Sequence, residues 1–527
     1  VYAFLVMLGL TQDVEARIKA CLGSISKGGV RDWVSPIIPM GSWAEQDASR
    51  QSLMDQFWHR VNMPSLPKFL FTRECKERDK LGTDTVRRRY RSAGADGSSL
   101  QCQVSKFFGS RSQAYDHELM QSCWEHVLHT YGPRGPGLRA VPLDVAADSF
   151  DKSNLGFPAF CSDRRYLPLI KRESEYLLRT LDGDGILEYV ALLWYRLQSK
   201  GIGVPAKARA IWQCSRVPAN LEKTIQIPLL ASIRHHPTFA AWESQTAVNA
   251  AVTELLDTTQ WQASIDYSNF DATVSRELIG WVFDLFREWF TKEEAGLLEL
   301  LQHYFNNIGL ITPDGLESNR AGGIPSGCVN TNLVGTFANL LATQYAARKT
   351  GHVIKRHMAN GDDGLIGFET QPDLDAMAEV LNEDLGMSVS PEKCFIGSGE
   401  AHYLQMIHHR DMARVKGLCP GVRSVTRVFR RMMNLDSYRP SWKPQMHTIR
   451  WRQQMGDSKY HPCFTGLLEE YLKHDKYGTV PIRELIAECG GITHVRQELG
   501  LPRGLFDENN QEALTEMIIE QGLRALT

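Results

Sequence analysis

Apolar positions recur with two periods along this chain, and the change of period marks out its elements. Over 277–305 the residues Leu278, Val282, Leu285, Phe286 and Trp289 fall at helical spacing, which predicts one long amphipathic stretch packed on a core. The same spacing predicts helices over 173–198, 247–256 and 329–349, and over 466–474, 482–489 and 511–526 near the C-terminus. Residues 1–60 are mostly helical in pattern, with Trp33, Trp43 and Trp58 as packing anchors. Between 352 and 368 the pattern shortens. Two apolar-leaning runs, 352–359 and 364–368, flank Asn360-Gly361-Asp362-Asp363. Asn-Gly between such runs is a strong hairpin signal, because both residues tolerate positive φ. The expected object is a tight β-hairpin with two adjacent carboxylates at its tip. Stretches 94–99, 132–137 and 321–327 punctuate the chain as loops.

Size and charge narrow the classes. A chain of 527 residues can bury a large core and form several domains. Its net charge is −2, so basic surface for nucleic acid must be local rather than global. One local run is Arg73, Lys76, Arg78, Lys80 and then Arg87-Arg88-Arg89-Tyr90-Arg91. Such a run suits either a solvated face or a single-strand channel. The C-terminal part carries Arg410, Arg414, Lys416, Arg423, Arg427, Arg430 and Arg431. The 11 cysteines form no CxxC pair, which indicates neither a zinc site nor a disulfide scaffold, and their odd count fits a reducing compartment. The apolar segment 1–10 lacks a basic leader and is too short to span a bilayer, so it reads as a buried strand or helix. The absent initiator Met suggests a chain that begins further upstream. No other stretch approaches transmembrane length, and a soluble protein with no membrane insertion is expected.

The acid pair needs partners, since paired acids on a turn are by themselves more often merely solvated. Adjacent like charges cost stability unless a cation sits with them. Ser264-Ile265-Asp266-Tyr267-Ser268-Asn269-Phe270-Asp271 supplies the first partner. Its apolar lead-in puts Asp266 at a strand end, placed like a metal ligand. Asp271 falls near a helix N-terminus, where a carboxylate can be a cap or a ligand. Asp266 and Asp362 on neighbouring strands could share two divalent cations, spaced about 3.5–4 Å apart for in-line phosphoryl displacement. Mg²⁺ takes one or two carboxylates and completes its shell with phosphate oxygens and water. Asp363 would assist as an outer ligand. The second partner is Gly323-Ile324-Pro325-Ser326-Gly327-Cys328-Val329-Asn330-Thr331-Asn332. In the helix that follows, Thr331, Gly335 and Asn339 share one face, bearing a hydroxyl, no side chain and an amide. That face can border a polar ligand, or it can pack closely at Gly335.

Asp266-x4-Asp271, Ser326-Gly327-x3-Thr331 and Gly361-Asp362-Asp363, in this order, resemble motifs A, B and C of viral RNA-dependent RNA polymerases. The Pro-Ser-Gly-x3-Thr-Asn-Leu-Val stretch, with Asn339 eight residues after Thr331, looks most like the picobirnavirus and partitivirus branch of double-stranded RNA viruses. The recognisable part runs from about 151 to 410.

The resemblance implies an α+β fold, a closed right hand of fingers, palm and thumb, with an antiparallel palm sheet and helix-rich fingers and thumb. It implies an extension over 1–60, fingers over 61–255, palm over 256–408 with a fingers return near 300–325, and thumb over 409–527. By it, Asp266, Asp362 and Asp363 bind two Mg²⁺, for which Mn²⁺ can substitute. Asp271, Ser326, Gly327, Thr331 and Asn339 contact the nucleotide and its ribose. Lys207 and Arg209 look like the basic motif F that holds the triphosphate. Ser153, Gly156 and Pro158 belong to a stretch resembling the template-guiding motif G. Lys393 sits where motif D places the Lys that protonates pyrophosphate. Residues 400–409 fall where the primer-grip hairpin would lie. The chain departs from the pattern at Gly335, where many relatives carry Asn or Asp. Asn339 is one helical turn further along, about 6 Å.

Reverse transcriptases place a bulky aromatic where this chain has Asp271. A carboxylate can accept a hydrogen bond from a 2′-hydroxyl, which favours ribonucleotides. The implied partners are RNA template and product, ribonucleoside triphosphates and a viral capsid protein. The implied locations are the virion interior and host cytoplasm. The rival readings are a reverse transcriptase-like palm enzyme and a non-catalytic RNA-binding virion protein with a degenerate palm. The complete acid set argues against the latter.

Overall fold

The computed structural model describes residues 11–26, 37, 43–78, 100–109, 114–133, 135–150, 154–198, 207–433 and 442–499. Segment 1–10, Trp33, the 87–91 basic run, the 94–99 loop and the 511–526 stretch lie outside these residues, as does the Trp43 side chain. The chain forms two compact units. The first comprises 1–29, 90–196 and 208–403; the second comprises 30–89, 197–207 and 404–527.

The strands, which lie in the first unit apart from 197–198 and 207, are β1 (Ala191–Gln198), β2 (Lys207–Gln213), β3 (Trp261–Ser264), β4 (Leu310–Thr312), β5 (Gly315–Glu317), β6 (Ile354–Asn360), β7 (Asp363–Phe368) and β8 (Phe395–Gly397). They make two four-stranded sheets, ordered β2-β1-β4-β5 and β6-β7-β3-β8. The second sheet is antiparallel throughout: His357 pairs with Ile366, and Ala263 pairs with Ile366 on one side and Ile396 on the other.

Behind this sheet runs a central helix, Thr331–Lys349, in which every residue from Leu333 to Ala347 is buried. A helix buried on all sides belongs to a core rather than a surface. It packs against the Arg276–Trp289, His117–Tyr131 and Leu374–Glu383 helices and against β6. Phe337 sits at its heart, with ring centroids 4.8 Å from Trp289, 5.4 Å from Phe239 and 5.6 Å from Phe286.

Two expected elements differ. The 277–305 stretch is two helices, Arg276–Trp289 and Ala295–Asn307. Phe290 is extended because Leu138 intervenes: its N–H donates to Trp289 O (2.8 Å), and its carbonyl accepts from Thr291 N–H (2.9 Å). Local periodicity cannot show a partner that distant in sequence. The 173–198 stretch holds a helix, Leu167–Thr180, that ends at Leu181 in the left-handed region (φ 52°). Asp182 then caps the short Gly183–Leu187 helix, and 191–198 is β1, running parallel to β4. Leu, Trp and Tyr suit a half-buried pleated surface, and tertiary pairing outweighs the helical pattern here.

In the second unit, helices Trp43–Arg60, Lys68–Arg78, Val425–Met433 and Phe464–His474 surround Phe57, Phe429, Trp58 and Tyr471. Phe57 and Phe429 stack at 4.5 Å. The buried Glu74 carboxylate accepts from Ser424 Oγ (2.8 Å) and from the N–H groups of Val425 (3.1 Å) and Thr426 (2.9 Å), closing the start of the Val425–Met433 helix. Among the described residues, no helix is long and apolar enough to cross a membrane.

Truncating Phe337 to Ala should leave a cavity the surrounding rings cannot fill, costing about 3–5 kcal/mol. A urea titration should show the unfolding midpoint of F337A well below that of the unaltered chain.

Candidate active site

β6 and β7 meet at a two-residue turn, Gly361-Asp362, closed by the pairing of Asn360 with Asp363. The turn is shifted from the expected Asn-Gly form. Asn360 ends β6, and the positive φ (63°) falls on Gly361. The cause is the central helix, where Asn332 Nδ2 donates to Asn360 Oδ1 at 2.7 Å and fixes Asn360 in the ladder. Only Asp362 therefore sits in the turn; Asp363 opens β7.

Asp266 follows β3, whose register pairs Ala263 with Ile366 of β7. Continued three residues along each strand, that register brings Asp266 level with Asp363. The acids sense one another. Burial, then the Asp362 and Asp266 charges, push Asp363 up to about 6, against the pull of Arg209. Burial and Asp362 push Asp271 up to about 7, again opposed by Arg209. Like charges in a recess disfavour ionisation in this way.

Asp271 is not the cap of the long helix that follows. Ser275 takes that role, accepting from Leu278 N–H at 3.0 Å. The main chain of Asp271 instead receives the loop that leads to Ser326: its carbonyl accepts from Ile324 N–H at 2.6 Å, and Val274 O accepts from Gly323 N–H at 2.7 Å.

That loop is fastened along its length. Arg320, 2% exposed, donates to Gly323 O (2.8 Å) and to Phe305 O, and stacks on Trp212. Ser326 Oγ donates to Ala210 O at 3.3 Å. A Cβ on Gly327 would stand 1.6 Å from Trp212 O, so the two backbones are in contact there. The Cys328 and Cys214 thiols lie 3.5 Å apart. Glu222 accepts from the N–H groups of Val329 (3.0 Å) and Asn330 (3.3 Å), while Gln226 Nε2 donates to Val329 O (2.7 Å). Burial pushes Glu222 up to about 7, although those two N–H groups favour its charged form. Thr331 Oγ1 turns back to Pro325 O (2.6 Å) and Cys328 O (2.9 Å). Arg320, Glu222 and Gln226 escaped the sequence reading. Glu222 lies 107 residues from Val329, and no local pattern links them.

Gly335 has a packing reason. A Cβ there would stand 3.6 Å from Gly361 Cα and 3.3 Å from Phe270 Cε1, so a longer side chain would push into the turn. Asn339, 1% exposed, donates from Nδ2 to Gly361 O (2.9 Å) and accepts from Thr343 Oγ1 (2.9 Å). Its amide is committed on both sides, and it serves the turn instead of an open polar face. The polar positions that meet the turn are Asn332, Thr336 and Asn339, with Thr343 behind them. Uncharged polar residues at i, i+4, i+7 and i+11 in an otherwise apolar helix are the signal that could have found this stripe.

The remaining expected residues are distributed as follows. Arg209 is exposed on β2, and its charge favours ionisation of Asp271 and Asp363. Lys207 begins β2, but its side chain lies outside the described residues. Lys393 is exposed, 3.4 Å from Ser390 Oγ, and its neighbour Cys394 receives the Asp266 N–H at 3.5 Å. Ser153 lies outside the described residues. Gly156 and Pro158 are buried. Gly156 has φ 63°, and a Cβ on it would stand 2.0 Å from Cys214 O. Arg216 N–H donates to Leu155 O (2.9 Å), and Ser215 Oγ to Phe157 O (2.5 Å). Gly156 thus lets the loop pack against the residues that follow β2. Strands β9 (Glu400–Tyr403) and β10 (Met406–His409) occupy the stretch where a primer-grip hairpin is expected.

Residues 197–417 match the family model described as viral RNA-dependent RNA polymerase. Among curated proteins, the chain is 33% identical over 203 residues to an RNA-directed RNA polymerase of Cryptosporidium parvum virus 1, a match covering 36% of this chain and 37% of that protein. It is 27% identical over 297 residues to a potential RNA-dependent RNA polymerase of a human picobirnavirus, covering 54% of each. The matches thus span about a third to a half of the length of these relatives. Among solved structures, the RNA-dependent RNA polymerase of a human picobirnavirus superposes with a TM-score of 0.76 at 18% identity, covering 98% of this chain and 99% of that one. An insertion-loop deletion mutant of such an enzyme superposes with a TM-score of 0.75 at 20% identity and the same coverage. Residues 197–417 are therefore a viral RNA-dependent RNA polymerase domain, in a chain with the α+β right-hand polymerase fold.

Proposed function

We propose that this chain is an RNA-directed RNA polymerase that copies a viral RNA genome from ribonucleoside triphosphates. One observation carries the reading: the register of β3 and β7 brings Asp266 level with Asp363, beside Asp362 in the turn, and burial together with the Asp362 and Asp266 charges makes Asp363 harder to ionise. In outline, 61–255 would be fingers, 256–408 palm and 409–527 thumb, with 1–60 as an extension. A viral capsid protein is a natural partner, and the virion interior and host cytoplasm are natural places of work.

Crowded carboxylates call for a counter-charge. Among the described residues, no three or more His, Cys, Asp or Glu side chains close into a ready-made metal cage. Open carboxylates fit Mg²⁺ or Mn²⁺, which take one or two of them and fill the remaining positions with phosphate oxygens and water. Asp266 and Asp362 would hold two such ions, with Asp363 as an outer ligand. When bound, the ions neutralise charge on the attacking and leaving oxygens.

The chain's own residues carry the rest. The 3′-hydroxyl of the growing strand attacks the α-phosphate of the incoming nucleotide, and pyrophosphate departs. Arg209, and Lys207 before it, hold the triphosphate, with the planar guanidinium of Arg209 suited to two phosphate oxygens. Asp271 accepts the 2′-hydroxyl, while Ser326 and Thr331 border the ribose from the loop fastened to Asp271's backbone. Lys393 gives a proton to the leaving pyrophosphate.

Template-dependent incorporation of labelled ribonucleotides with Mg²⁺ or Mn²⁺ tests the reading. Asp362→Ala should abolish incorporation and leave RNA binding intact; persistent synthesis would sink the assignment. Asp271→Ala should narrow the preference for ribonucleotides over deoxynucleotides, and an unchanged ratio would remove Asp271 from sugar selection. A third expectation concerns stability without metal. Asp363 is harder to ionise folded, near 6, than in an unfolded chain, near about 4. Its contribution to folding is therefore present at low pH and lost as pH rises from about 4 through 6. In chelator, Asp363→Asn should melt above the unaltered protein at pH 8, with the gap closing by pH 4.

A further inference from the structure

The geometry points to Thr336 and Asn339 of the central helix as positioning residues that set the spacing between Asp266 and Asp362. This rests on the reading of those two acids as cation ligands. It goes beyond that reading by assigning their separation to groups that touch neither cation nor nucleotide.

Gly361 immediately precedes Asp362, and both polar groups of its backbone are taken by the helix. Its N–H donates to Thr336 Oγ1 at 2.8 Å, and its carbonyl accepts from Asn339 Nδ2 at 2.9 Å. The Thr336 hydroxyl is oriented for this. Its own proton goes to Asn332 O at 2.7 Å, leaving a lone pair for the turn. Tyr267, the residue after Asp266, reaches the same helix. Its hydroxyl lies 3.3 Å from Thr343 Oγ1, and Thr343 donates to Asn339 Oδ1 at 2.9 Å. Because the Thr343 proton is spent on Asn339, Tyr267 must be the donor to Thr343. The direction is then fixed throughout: Tyr267 to Thr343 to Asn339 to Gly361 O.

One helix face thus holds the residue after one acid and the residue before the other. Thr336, Asn339 and Thr343 are all buried, so water cannot replace a lost partner cheaply. The acids repel, and the two-residue turn bearing Asp362 has little stiffness of its own. Without the clamp the turn can swing outward and relieve the repulsion. With it the carboxylates stay close enough to share cations. Groups behind metal ligands commonly control metal affinity in this way.

The test is Mn²⁺ binding by the full chain in the absence of RNA and nucleotide, followed by electron paramagnetic resonance of free Mn²⁺, with thermal midpoints and RNA binding measured in parallel. Asp362→Ala is the control. Thr336→Val keeps the shape and removes the acceptor; Thr336→Ser restores the hydroxyl; Asn339→Leu breaks the second contact independently, in case the Val variant fails to fold. The expected result is Mn²⁺ affinity weakened about 10-fold in Thr336→Val and in Asn339→Leu, with near-complete recovery in Thr336→Ser and RNA binding unchanged. Mn²⁺ binding lost in Asp362→Ala but unaltered in Thr336→Val and Asn339→Leu overturns the positioning role alone. A Thr336→Ser variant as weak as Thr336→Val also overturns it, since helix packing and not the hydroxyl would then be responsible. Equal Mn²⁺ binding by Asp362→Ala and the unaltered chain overturns the cation reading and this inference together.

Discussion

Like charges must be held side by side here, and a turn alone cannot hold them. The peptide of Gly361 is gripped on both edges by the buried helix behind it, and that grip is the constraint on which the site depends. It explains features that otherwise look unrelated. The helix carries glycine at 335 so that the turn can come within contact distance. It carries uncharged polar groups in an apolar interior because each has a bond to make. It is sheathed in aromatic rings around Phe337, so the grip has a rigid base.

The loop that carries Ser326 follows a second version of the same rule. Arg320 and Glu222 are ionisable groups buried against it: Arg320 donates to Gly323 O as well as to Phe305 O, and Glu222 accepts from the N–H groups of Val329 and Asn330. Burying a charge is costly unless its hydrogen bonds are made. Backbone groups are the partners here, and Ser326 adds a side-chain bond of its own to Ala210 O.

The elements that carry the acids were readable in the sequence because their signals are local. A hairpin between two short apolar runs, a strand-end Asp and a Gly/Pro loop before a helix each fit within about ten residues. The antiparallel sheet that joins them is what the family resemblance implies. What could not be read depends on contacts across long sequence separations. Leu138 breaks the 277–305 stretch, β4 draws 191–198 into a sheet, and Glu222 meets Val329, none with a signal at either end. Gly335 shows the boundary well. Its departure from the family pattern was visible, but what surrounds it, the Phe270 ring and the turn at Gly361, is brought there by other parts of the chain. Asn332 likewise moved the turn by one residue through a bond that no hairpin rule contains.

Gly327 has a consequence for how such a chain can vary. Even the smallest side chain at that position would overlap the Trp212 carbonyl, which belongs to the backbone and cannot rotate away. Every residue type other than glycine is excluded alike, whatever its chemistry. Trp212 itself enters that contact only through its main chain, so its own side chain does not decide the matter. Any substitution at 327 would have to move two stretches of backbone apart, so the position is closed to side chains by a neighbouring peptide.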